Sequence, residues 1–143
     1  MSKRIYVVIA VALLAVFTVL GVSSEAQTMK FEHFSIDVPA GWKVDDDKEN
    51  YTVTFLAPDE TAALTVSIFE SNETPLEEIA MMLMEELDGV NLSIEGDAYT
   101  FKFENQGIAC RAAVAGSEMI LFLTTIGAHE DFGNMVKSLT TEN

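Results

Sequence analysis

Apolar and polar residues alternate one for one through Phe34-Ser35-Ile36-Asp37-Val38, the pattern of a strand with one face buried. Pro39-Ala40-Gly41 stops that run with turn chemistry, and Trp42-Lys43-Val44 opens the next piece. Asp45-Asp46-Asp47-Lys48-Glu49-Asn50 has nothing to bury and reads as an exposed loop or hairpin tip. Tyr51-Thr52-Val53-Thr54-Phe55 alternates again and is rich in β-branched and aromatic residues. After the turn at Pro58-Asp59-Glu60, Leu64-Thr65-Val66-Ser67-Ile68 makes a third strand.

The spacing then changes from two to about 3.6. Leu76, Ile79, Ala80, Leu83 and Leu87 form one apolar stripe, which predicts a helix over residues 74–88. Thr74 and Glu77 have the spacing of a capping box, with Pro75 at the first helical position. Asp88-Gly89 ends it. Strands return in the last third. Tyr99, Phe101 and Phe103 share a face, Asn105-Gln106-Gly107 reads as a three-residue turn, and Ile108 to Val114 runs back. Met119 to Leu123 is apolar on both sides, so both sides must be covered. The covers expected are the 74–88 helix and a closing helix in which Phe132, Met135, Val136 and Leu139 keep helical spacing. The fold class expected is α+β, a mostly antiparallel sheet of about six strands with helices on both faces.

The N-terminal segment follows other rules. Lys3 and Arg4 precede a run from Ile5 to Val22 that is almost wholly apolar, and Ser24 and Ala26 supply a small-x-small end. These are the three parts of a secretory signal peptide, so residues 1–26 are expected to be removed and residues 27–143 to form one domain. An uncleaved membrane anchor is the rival reading of the same run. Either way the domain is expected outside the cytoplasm, periplasmic or extracellular.

Charge sharpens the picture. The chain holds 8 Lys+Arg and 23 Asp+Glu; Lys3, Arg4 and Glu25 belong to the leader, which leaves 6 basic and 22 acidic residues, net −16. Nucleic-acid binding requires a basic footprint that these residues do not supply. Anionic membranes are disfavoured for the same reason, leaving membrane contact to the N-terminal segment if it is retained. A protein partner with a basic surface is the complementary expectation.

Candidate chemistry is sparse. His33 and His129 are the two histidines, and neither accompanies a Gly-x-Ser-x-Gly elbow. Cys110 is alone and shares an alternating face with Ile108, Ala112 and Val114, the setting of an inert buried thiol. Asp45, Asp46, Asp47 and Glu49, with Asn50, are candidate oxygen ligands for calcium, although the spacing of an EF-hand loop is missing. Met81, Met82 and Met84 serve best as packing at a helix face; Met81 falls on the acidic side and is a candidate partner contact. No cofactor is expected.

The stretch Phe34 to Val44, an aromatic and an alternating strand followed by Pro39-Ala40-Gly41-Trp42, resembles the opening of the PsbP-like exported proteins of bacteria and the chloroplast lumen. DcrB-type periplasmic proteins are also similar. The resemblance implies an α/β/α sandwich and a protein that assists or binds rather than catalyses. The PsbP proteins' longer N-terminal segment has no counterpart here, so a photosystem role does not carry over. The expected function is a non-enzymatic accessory or binding domain acting on another envelope protein. A small-ligand or calcium binder using residues Asp45 to Asn50 is the alternative, and a hydrolase a third.

Overall fold

The computed structural model describes residues 26–141. The predicted leader lies outside these residues except for Ala26. Ten strands and two helices occur among them, with 52% of residues in strands and 16% in helices, so the domain is mostly β.

The larger sheet has seven strands: β3 (Lys43–Asp47), β4 (Thr52–Leu56), β5 (Ala63–Glu70), β6 (Val90–Glu95), β7 (Ala98–Asn105), β8 (Ile108–Gly116) and β9 (Met119–Ile126). Their spatial order is β3-β4-β5-β9-β8-β7-β6, and every neighbouring pair is antiparallel. The chain lays down one meander, crosses over through helix α1 (Leu76–Glu86), and returns as a second meander whose last strand closes on β5. The smaller sheet is β1 (Gln27–Lys30), β2 (Phe34–Val38) and β10 (Thr140–Thr141), with β2 in the middle. Helix α2 (Phe132–Ser138) precedes β10.

Strand β9 explains why both sheets exist. Its alternate residues Ile120, Phe122 and Ile126 join one core with Ile79, Ala80 and Leu83 of α1, and with Phe101, Phe103 and Val114. Leu123 points the other way into a second core, with Phe34, Ile36 and Val38 of β2, Phe55, Leu64 and Val66 of the large sheet, and Met135 of α2. Each large side chain removed from water in this way contributes about 1.5–3 kcal/mol.

The expected helix-on-both-faces sandwich is therefore corrected. One face of the seven-stranded sheet carries α1, while the other is roofed mainly by a second sheet, with α2 packed beside β2. Phe34 to Val38 does alternate, as expected, but it belongs to the small sheet. Its buried face looks down onto the large one. Ser138 ties α2 to this strand, its hydroxyl accepting from the Asp37 N–H at 2.9 Å and donating to the Met135 carbonyl at 2.7 Å.

Three local expectations also change. The capping box does not form: Pro75 is the N-cap, and no side chain caps the α1 terminus. Glu77 and Glu78 still place negative charge in the first turn, where the helix dipole favours it. The β7–β8 turn holds two residues rather than three. Gln106 (φ +53) and Gly107 (φ +81) are both left-handed, as a type I′ turn requires, and Asn105 pairs directly with Ile108. Finally, Asp45 to Asp47 are strand residues, in register with Thr54 to Thr52.

The end of α1 is where the sequence signal holds. Asp88 takes the left-handed position (φ +53), and the Gly89 N–H reaches the Met84 carbonyl at 2.7 Å. A Cβ at residue 89 would lie 2.6 Å from the Phe101 ring, so glycine allows β6 to start close against the core.

Candidate functional site

The acidic hairpin gathers the candidate oxygen ligands Asp45, Asp46, Asp47 and Glu49. The pleat separates them. Asp45 and Asp47 face the side of Thr54 and Thr52, whereas Asp46 stands opposite Val53 on the other side of the strand. Asp47 is already engaged, its carboxylate accepting from the Asn50 side-chain amide at 2.8 Å and from the Asn50 N–H at 3.4 Å. Burial and the like charges of Asp47 and Asp46 hold the Asp45 carboxyl above its usual 3.8. Glu49 is exposed at the tip. Among the described residues no three His, Cys, Asp or Glu side chains converge in a way that could hold a metal ion.

The base of the same hairpin is more structured than its charge suggests. Tyr51 closes the tip with φ +53 and is 58% exposed, while its carbonyl accepts the Ile68 N–H at 3.1 Å. The left-handed conformation costs a bulky residue about 1–2 kcal/mol, and glycine or asparagine is the usual occupant. Between the hairpin and the β1–β2 turn, with Tyr51 among its lining residues, lies a cavity of about 270 Å³.

Helix α1 places its methionines on different sides. Met84 packs against the core, whereas Met81 and Met82 are 45% and 41% exposed. The adjoining edge strand β6 continues this exposure with Val90 at 56% and Ile94 at 65%. Four of the eight large apolar side chains exposed among the described residues thus come from α1 and β6, two elements that pack on each other. Sequence reasoning marked Met81 but missed β6 altogether. Val90 to Glu95 lacks a buried periodicity that could have revealed it.

The two edges of the large sheet are unlike. Strand β3 carries Lys43, Asp45, Asp46 and Asp47, charges that discourage further pairing. Strand β6 carries one acidic residue, Glu95, and a bulge between Val90 and Ser93 that blunts one end while the remainder pairs regularly with β7. On the face beside it, Ser93, Thr100, Lys102 and Arg111 line an open trough of about 400 Å³.

The histidines are apart in role. His33 sits in the β1–β2 turn, its Nε2 4.0 Å from Glu32. His129 lies edge-on to Trp42 at 5.0 Å, and its Nδ1 accepts the Asp131 N–H at 3.0 Å. Neither has a serine, threonine or cysteine side chain as a hydrogen-bond partner among the described residues. Cys110 is buried, and desolvation raises its thiol pKa first of all. Among the described residues, no helix is long and apolar enough to cross a membrane.

No protein-family model matches the chain, and no curated protein matches it. Among solved structures, a protein from Bacteroides thetaiotaomicron VPI-5482, determined at 1.50 Å, is similar in fold with a TM-score of 0.51 and 17% identity. The match covers 77% of this chain and 45% of that one, so this chain spans less than half the length of that neighbour. At this identity the likeness concerns the fold alone.

Proposed function

We propose that this protein is an exported, non-enzymatic binding domain that acts by docking another envelope protein against its α1–β6 end. The observation that carries this reading is the concentration of exposed apolar side chains there: Met81, Met82, Val90 and Ile94. Large apolar groups grouped on a surface are characteristic of contact sites, whereas scattered ones are ordinary.

The less guarded edge of β6 suggests how the partner is held. An extended segment adding to it would gain main-chain hydrogen bonds, with Ile94 and Val90 supplying contact area. The net −16 of residues 27–143 favours a partner with a basic surface and makes its approach salt-sensitive. The PsbP-like resemblance of Phe34 to Val44 accords with an accessory role.

The test is a comparison of variants in affinity purification from the envelope fraction. Wild type should retain a stoichiometric companion. Ile94→Lys, which puts a charge on the edge, should lose it, while Ile108→Lys, beside the β7–β8 turn and off the edge strand, should not. Equal recovery by all three proteins would contradict the reading, as would self-association of the purified domain through the same edge.

A further inference from the structure

The cavity under the β3–β4 tip has a chemistry that the docking surface does not use. Its inner wall is apolar, formed by Phe31, Phe34, Val53 and Ile68. Phe31 is fixed there by two rings, stacked on Phe34 at 4.9 Å and edge-on to Phe55 at 5.7 Å. At about 270 Å³ the space accepts a single ring or a branched aliphatic group and little more.

Its rim is charged and balanced. Lys30 and Lys48 stand with Glu32 and Asp46 around the mouth, and His33, 4.0 Å from Glu32, lines it beside them. Residues 27–143 hold 6 basic side chains against 22 acidic ones, so two of the six meeting at one small opening make a locally neutral spot on a negative surface. The exposed Tyr51 ring completes the rim, at a backbone position that favours glycine.

We propose that this cavity binds a small zwitterion with an apolar side chain, of the class of the hydrophobic α-amino acids. The side chain lies on Phe31 and Val53. The carboxylate meets Lys48, the ammonium meets Asp46 or Glu32, and the Tyr51 ring covers the opening. A ligand with one charge satisfies half of such a rim and is repelled by the other half; a zwitterion engages both through charge-assisted hydrogen bonds. The site is independent of the α1–β6 surface.

The experiment is titration of the domain, by calorimetry and by NMR shifts of Tyr51 and Val53, with L-phenylalanine and L-leucine. Phenylacetate and phenethylamine serve as single-charge controls. Saturable binding is expected below about 10 mM for at least one amino acid, with both controls at least about fivefold weaker. Tyr51→Gly should leave the denaturation midpoint unchanged or higher, because it relieves the left-handed backbone, yet weaken amino-acid binding by about fivefold. Lys48→Met, at an exposed position, should erase the preference for L-phenylalanine over phenethylamine. The proposal is overturned if neither amino acid saturates, if the controls bind equally well, or if both variants bind like wild type.

Discussion

Lys102 and Arg111 stand directly opposite each other across β7 and β8, and the Arg111 guanidinium leans towards Glu95, 3.9 Å from its carboxylate. Two like charges at one cross-strand position oppose the pairing that holds them. Lys102→Glu should therefore stabilise the domain by about 0.5 kcal/mol, with the gain fading in high salt. A urea-denaturation midpoint that falls instead would show that the two charges do not repel across the strands.

Thr124 is wholly buried on β9, and its hydroxyl has no hydrogen-bond partner among the described residues. An orphaned buried hydroxyl is costly, and valine has nearly the same shape. Thr124→Val should raise stability by about 1 kcal/mol. The neighbouring buried pair Thr52 and Ser67, hydrogen-bonded at 3.0 Å, provides the contrast: Ser67→Ala should lower it by a similar amount.

Much of this fold was legible along the chain, for a reason that also sets the limit. Strands β4, β5, β7 and β8 alternate in sequence, and that rhythm announced them, although β4 and most of β5 are buried on both faces, with Thr52, Thr54, Thr65 and Ser67 inside. Burial of both sides was equally readable for Ile120 to Leu123, whereas Met119 at the start of the strand is 40% exposed. What covers each side was not, because alternation says that a face is dry without saying whether helix or sheet lies on it. Strand β6 is exposed along most of its length, and β1 and β10 likewise, so no apolar rhythm marks them. Asp45 to Asp47 are strand residues because Thr52 to Thr54 offer a partner at a sheet edge, where charge is tolerated. For the candidate sites, Met81 was visible from helical spacing. The cavity beside Tyr51 was not, since its walls come from the β1–β2 turn, the β3–β4 hairpin and Ile68 of β5, joined only in three dimensions.

The cores on the two sides of the large sheet share β9, so they should unfold together. Phe55→Ala and Phe101→Ala, one in each core, should each cost about 3–5 kcal/mol. Fluorescence of Trp42, in the second core, and far-ultraviolet dichroism should report the same midpoint in both variants. Separate transitions would mean that the small sheet is an independent layer.

Asp45 gives a pH signature. Its folded pKa is raised above 3.8 by burial and then by Asp47 and Asp46. The fold favours the neutral acid, so this group's contribution is fully present below pH 3.8 and is lost as pH rises through the folded pKa. Asp45→Asn should therefore be more stable than wild type at neutral pH, by no more than about 0.5 kcal/mol for a partly exposed group. Below pH 3.8 the two proteins should converge. An advantage that persists in acid would assign the effect to packing.

The docking claim is tested most directly by placing a photo-reactive amino acid at position 94 on β6 and, as a control, at position 46 on β3, and irradiating the protein in its native envelope. One discrete adduct with another protein is expected from position 94, sensitive to salt, with no counterpart from position 46. The same adducts from both positions, or none from position 94 beyond adducts between copies of this chain, would contradict the account.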